Sequence, residues 1–306
     1  MPTRLVLLYL LLPFWIYADI NWEDLTEKIY QTPEAFDLTP IGEGSTNSNY
    51  HLIFNEGHYF VRIAPKGAEL LSASIEIEFE VLQALKELHI APEPIHLNRN
   101  RRILVTEFMH GAHEMDLSDL STRSKVFSLL HQIEASNITL SRTYDPYIDI
   151  VRLIDLAKSL NDPIAYISLP LLKELSQSNE NKLSHFDLHH GNILTDNERI
   201  WIVDWEYATM ADRFLTLASM ASTEHWDDNQ MKNILNEYLP HPREEDFHSL
   251  FLNRILIDLH WAAWCHIQKT LSPLAIPYEE WENDYITEAL TRIKSLQYSE
   301  VIGNSK

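Results

Sequence analysis

The stretch from His185 to Glu206 limits most strongly what this chain can fold into. His185-Phe186-Asp187-Leu188-His189-His190-Gly191-Asn192 leads into two short β-like segments, Asn192–Thr195 and Ile200–Val203. The turn residues Asp196-Asn197-Glu198 join them, which is a hairpin signal. Asp204 closes the second segment, and Trp205-Glu206 follow. A hairpin here sets Asn192 beside Asp204, while Asp187 stands on the loop leading in.

Two carboxylates and an amide in this arrangement match what phosphoryl transfer requires. One carboxylate orients the acceptor hydroxyl and takes its proton, and oxygen ligands hold Mg2+ on the nucleotide phosphates. Asp187 and Asn192 can supply the base and a first ligand, and Asp204 a carboxylate ligand. His185 is a catalytic candidate whose simpler use is to brace the loop by hydrogen bonding. A lone His-x-Asp, or a lone Asp after a strand, is usually structural; the combination carries the weight. The cluster of His185, His189 and His190 with Asp187 also leaves open a metal-dependent hydrolase.

Upstream, the pattern predicts a small α+β lobe over residues 21–110. Asn21 is an N-cap candidate for a helix carrying Trp22, Leu25 and Ile29 on one face. Runs Asn49–Phe54 and His58–Ile63 flank Asn55-Glu56-Gly57 as a hairpin. A helix with Ile75, Phe79, Leu82 and Leu85 follows, then strands Ile95–Leu97 and Arg102–Phe108. From Ser121 the period turns helical and stays so apart from the hairpin, with a long apolar-faced segment from about Glu244 to Thr270. The break near Phe108–Glu114, around Gly111, divides this lobe from a larger one over 111–306.

Charge narrows the partners. With 24 basic and 45 acidic residues among 306, the formal charge is −21, which argues against nucleic acid. The single cysteine, Cys265, permits no internal disulfide or thiolate cluster and favours a reducing compartment. Residues 1–20 stand apart. Leu5–Tyr17 is nearly unbroken apolar sequence, but thirteen residues reach about 20 Å, short of a ~30 Å hydrocarbon core. It reads as signal-like with a poor cleavage site, as a start codon placed too early, or as a peripheral apolar helix; membrane contact through 5–17 is the less favoured reading.

The 185–208 pattern resembles the catalytic core of the kinase-like small-molecule phosphotransferases: the aminoglycoside phosphotransferase and choline/ethanolamine kinase superfamily, which includes bacterial thiamine kinase. The resemblance implies a protein-kinase-like bilobal α+β fold, with a β-rich N-lobe and a mainly helical C-lobe around Mg·ATP. It implies Asp187 as base and Asn192 and Asp204 as Mg2+ ligands. Ile41–Tyr50 resembles the family's nucleotide loop, with Gly42, Gly44 and Asn47 as cofactor-binding candidates. Arg62 resembles the third-strand base that touches the phosphates, and Glu78 the acid that pairs with it. Val105–Met109, with Thr106 and Phe108, would be the hinge that meets adenine.

Asp204-Trp205-Glu206-Tyr207-Ala208 is similar to a stretch of choline, ethanolamine and thiamine kinases, and Trp261, Trp264 and Gln268 with Tyr278, Trp281, Tyr285 and Arg292 resemble their C-terminal end. Glu206, Trp205, Trp261 and Trp264 are therefore acceptor-binding candidates, since tryptophan faces and a carboxylate suit a cation. There are departures: Phe186 stands where relatives carry a small or polar residue, and Thr216 where many have Asp. No DFG or activation segment follows Asp204, so a small acceptor is expected. Choline or ethanolamine comes first, thiamine next and aminoglycosides third, acted on by a cytoplasmic monomer or homodimer. A nucleotide-binding pseudokinase is the rival reading.

Overall fold

The computed structural model describes residues 20–42, 47–175 and 181–303; the apolar segment 5–17 and Gly44 lie outside the described residues. The N-terminal region is an antiparallel sheet of β1 (Asp37–Pro40), β2 (Ser48–Phe54), β3 (Gly57–Ile63), β4 (Pro94–Asn98) and β5 (Ile103–Glu107), in the order β1-β2-β3-β5-β4. Both edge strands carry a proline, Pro40 and Pro94, where a missing N–H does least harm to the ladder. The β2–β3 turn is Asn55-Glu56, both at positive φ. Gly57 belongs to β3 instead of the turn, and a Cβ there would come within 2.3 Å of the Tyr59 hydroxyl.

Period-two alternation sorts the sheet's two faces. Tyr59, Val61, Ile103 and Val105 pack outward against helix α1 (Trp22–Gln31), through Trp22, Leu25 and Ile29. Asn21 caps α1, its side chain accepting from the Asp24 N–H at 3.1 Å. The opposite face presents Arg62, paired in register with Leu104, toward helix α2 (Ile75–Leu85) and the rest of the molecule. A continuous core runs from Val81, Leu82 and Leu104 into the helical region.

That region contains α3 (Leu120–Ala135), α4 (Pro146–Ser159), α5 (Leu169–Leu175), α6 (Leu215–Thr223), α7 (Asp228–Tyr238), α8 (Glu244–Leu271) and α9 (Tyr278–Gly303). Helix α8, about 42 Å long at 1.5 Å per residue, is buried almost all round from Leu250 to Gln268. Short strands hold the chemistry-bearing loop. β7 (Asn181–Ser184) pairs with β10 (Thr209–Asp212), and β6 (His113–Glu114), β8 (Ile193–Thr195) and β9 (Ile200–Ile202) form a three-stranded sheet. The β7–β10 pair and β1 are absent from the sequence reading: they are short, polar or proline-bearing, and depend on tertiary pairing. Among the described residues no helix is long and apolar enough to cross a membrane.

Candidate active site

The loop 185–192 leaves β7 through Phe186, a non-glycine residue at φ +71°. Such a conformation costs on the order of 1–3 kcal/mol and persists only where packing enforces it. Here the Phe186 ring is buried edge-on against Tyr144 and His260, both at 4.7 Å between centroids. Asp187 follows at once. Asn192 donates its Nδ2 proton to the Asp187 carbonyl at 2.8 Å, and the Val203 N–H donates to the Asn192 carbonyl at 3.0 Å. Asp204 has φ +65° and closes the group.

Arg62 reaches this group from β3. Its Nη1 donates to Glu78 on α2 at 2.8 Å and also to Asp204 across the cleft. Its Nε donates to Asn49 at 3.3 Å. Backbone bonds lock the two regions nearby: the Ser74 N–H donates to the Glu206 carbonyl at 3.0 Å, and the Ile202 N–H to the Ile90 carbonyl at 2.7 Å.

Two cavities meet at Asn49, Arg62 and Asp204, which wall both. The smaller, about 190 Å3, runs between Phe60, Thr106 and Met109 above and Asn192, Leu194 and Val203 below. The larger, about 380 Å3, is lined by Asn47, Asp187 and Glu206 together with Tyr207, Trp261 and Trp264. Asp284, Trp281 and Tyr285 of α9 complete its mouth. The geometry gives a slot of mixed apolar and polar lining beside an acidic, aromatic chamber, with an arginine–carboxylate pair on the shared wall.

Electrostatics separates the carboxylates. Burial, together with the Asp204 and Glu206 charges, raises Asp187 well above the usual carboxylate range. Burial pushes Glu206 up to about 8, with the Asp204 charge adding to it. Glu78 is pushed up to about 7 by burial, against the attraction of Arg62. Burial also works against the Asp204 charge, but Arg62 outweighs it and holds that carboxyl below its ordinary value.

Most candidates from the sequence come together. Asn47, Arg62, Asp187, Asp204, Glu206, Trp261 and Trp264 line the larger cavity, and Arg62, Glu78, Thr106, Asn192 and Asp204 the smaller. Four do not. Trp205 is only 1% exposed; its indole N–H donates to the Ile202 carbonyl at 2.8 Å and its ring packs on His185, so it is a core residue and not a cavity wall. His185 is buried behind the loop, its Nε2–H donating to the Val203 carbonyl at 2.8 Å. Burial pushes it down to about 4, so it is a neutral brace out of reach of both cavities. The Phe108 ring stacks on His51 at 3.8 Å and walls neither cavity. Gly42 takes φ +63° and lines neither.

Thr216 has a structural use: its hydroxyl accepts the His185 N–H at 3.1 Å. Among the described residues no three His, Cys, Asp or Glu side chains group as a metal site. Asn49, Tyr207, Thr223, His225 and Asp284 line the larger cavity without having been singled out as site residues. Asn49 and Tyr207 lie within motifs already noted, but Thr223 and His225, at the end of α6, and Asp284, in the second turn of α9, carry no local signal.

A β-sheet region and a helical region that close on an arginine–carboxylate pair form the architecture of a kinase-like phosphotransferase. Residues 37–248 match the family model described as the phosphotransferase enzyme family, and the chain belongs to that family. It is 26% identical over 236 residues to thiamine kinase of Escherichia coli, covering 74% of this chain and 79% of that protein. It is 23% identical over 253 residues to the LicA homologue of Mycoplasma capricolum, covering 81% and 97%. The crystal structure of choline kinase LicA from Streptococcus pneumoniae superposes with a TM-score of 0.71 at 22% identity, over 90% of this chain and 99% of that one. That likeness establishes the protein-kinase-like fold.

Proposed function

We propose that this chain transfers the γ-phosphoryl group of Mg·ATP to the hydroxyl of a small cationic alcohol, with choline, ethanolamine and thiamine as the candidate acceptors. The observation that carries the reading is the shared wall. The slot between Thr106, Met109 and Leu194 suits a nucleotide base, and the chamber lined by Asp187 and the tryptophans suits the acceptor; they meet at Arg62 and Asp204. A phosphoryl group passing between them crosses at the one place where charge can be neutralised. The names borne by the thiamine kinase and LicA relatives are consistent with a small hydroxylated acceptor.

Charge favours a cation in the larger cavity. Asp187, Asp204, Glu206 and Asp284 line it, and Arg62 is the one Lys or Arg among its described lining residues. Trp261, Trp264 and Trp281 add aromatic faces, each able to contribute roughly 0.5–2 kcal/mol to a cation over the ring.

Asp187, on the wall of the larger cavity, orients the acceptor hydroxyl and takes its proton. Arg62 neutralises phosphate charge. Asp204 and Asn192 fit Mg2+, because both offer hard oxygen atoms: the Asn192 nitrogen is engaged by the Asp187 carbonyl, which leaves its amide oxygen as the donor. When bound, Mg2+ would offset the negative charge of the phosphates. Thr106 and Met109, which line the slot, would contact a bound adenine, and Glu78, paired with Arg62, would hold that guanidinium for the phosphates.

The test is coupled ADP release by purified protein with Mg·ATP against choline, ethanolamine, thiamine and an aminoglycoside, with Asp187→Ala as the control. Turnover on one acceptor that the substitution abolishes supports the reading. Nucleotide binding with no turnover on any of the four counts against it.

A further inference from the structure

Asn47 immediately precedes β2 and reaches over the cleft. Its Nδ2 donates to Glu206 Oε2 at 2.6 Å, linking residues 159 positions apart. The side chain is 8% exposed and lines the larger cavity, yet its Oδ1 has no hydrogen-bond partner among the described residues. A buried carbonyl oxygen left without a donor is costly, and native proteins keep few of them.

Three candidate donors can be weighed. Glu206 accepts the Asn47 amide proton, so it is already the acceptor of that pair. Nucleotide phosphates at neutral pH carry acceptor oxygens and would leave Oδ1 as it is. The acceptor molecule is the remaining source, because it enters the cavity that Oδ1 lines.

We propose that the pocket selects a cationic alcohol bearing at least one N–H, held between Asn47 Oδ1 and Glu206, over a quaternary ammonium that bears none. This assignment rests on the phosphotransfer reading and gives Asn47 a role on the acceptor side. A quaternary ammonium can lie on the Trp261 and Trp264 faces, but it offers Asn47 only C–H groups. A protonated primary, secondary or tertiary amine satisfies the amide oxygen and the carboxylate together, and so does an amino group on a heteroaromatic cation. Sites built to hydrogen-bond a substrate N–H discriminate strongly against analogues lacking it, because their own polar atoms are then left unpaired.

The test is calorimetric binding to the full chain. One series is ethanolamine and its N-methyl, N,N-dimethyl and N,N,N-trimethyl forms, the last being choline. The other is thiamine against its analogue without the ring amino group. In at least one series the N–H-bearing members should bind at least about tenfold more tightly than the member without, and the series that does so identifies which kind of N–H is read. Asn47→Leu should shrink that preference below about threefold, and Asn47→Ser should keep part of it, with circular dichroism verifying that both variants fold. Choline binding as tightly as its dimethyl counterpart with no preference in the thiamine pair, an undiminished preference in Asn47→Leu, or no binding in either series overturns the proposal. ADP release measured alongside separates the two levels. Selective binding without turnover upholds the assignment and defeats the phosphotransfer reading, and turnover without selectivity does the reverse.

Discussion

Arg62 on β3 and Asp204 just beyond β9 form an ion pair across the cleft, and the same guanidinium nitrogen holds Glu78 at 2.8 Å. One buried cation thus serves a carboxylate from each half of the molecule. Burial disfavours the Arg62 charge, but Asp204, Glu78 and Glu206 outweigh it and hold the proton tightly.

Removing that cation leaves buried carboxylates unopposed. Arg62→Ala should destabilise the protein by about 3 kcal/mol, the low end of the range for a broken buried pair, because the Asp204 side chain is 30% exposed. Arg62→Lys should recover part of this, since it restores the charge but loses the Nε bond to Asn49 and the rigid planar geometry of the guanidinium. Urea denaturation measures both, and a loss below about 1 kcal/mol in Arg62→Ala would contradict the pairing.

Asp187→Asn should lower kcat by roughly 10²–10⁴-fold, the usual worth of a positioned general base. Its KM for acceptor should change by less than about threefold, because the amide still fits the same wall. Steady-state kinetics with ADP detection gives both numbers. An unchanged kcat would remove Asp187 from the reaction.

Stability should depend on pH with two signs. Buried His185 is pushed down to about 4 and His260 to about 3, from 6.5, so the unfolded chain binds more protons and stability rises with pH up to about 6.5. Glu206 behaves oppositely. Its folded value of about 8 against 4.5 means the folded state holds the extra proton, so stability falls as pH rises through that window. In the ligand-free protein Glu206→Gln should therefore flatten the decline toward pH 8. Thermal unfolding across pH 4–9 reads this, and an undiminished decline in Glu206→Gln would refute the assignment.

The tryptophans should divide by location. Trp264 lines the acceptor cavity and donates to the Tyr207 hydroxyl at 3.1 Å, so Trp264→Ala should raise acceptor KM roughly 2–30-fold, matching a lost cation–π contact. Trp205→Phe loses the buried bond to the Ile202 carbonyl and should cost about 1–3 kcal/mol of stability while acceptor KM stays within about twofold. If the two variants exchanged these effects, the cavity assignment would be wrong.

The contrast between Trp205 and Glu206 shows where sequence reading stops. They are neighbours in one short turn, Trp205–Tyr207, yet the indole enters the core while the carboxylate and the Tyr207 ring face the cavity. Direction within a single turn follows from the backbone at Asp204, at φ +65°, which no residue pattern announces. Asp187, Asn192 and Asp204 were legible because their chemistry is local to one loop and hairpin. Trp261 and Trp264 are singled out through the resemblance of their stretch to the C-terminal end of choline and ethanolamine kinases, and the fold brings both to the larger cavity. The Asn47–Glu206 bond spans 159 positions, and Asp284 reaches the cavity only through the packing of α9 on α8; both are tertiary facts.

The most direct test of the central claim is phosphorus NMR of the protein with Mg·ATP and a cationic alcohol. The account predicts a new phosphomonoester resonance growing in equal amount to ADP, and its loss in Asp187→Ala. ADP accompanied only by inorganic phosphate, or no ADP with any acceptor of the class, would contradict it.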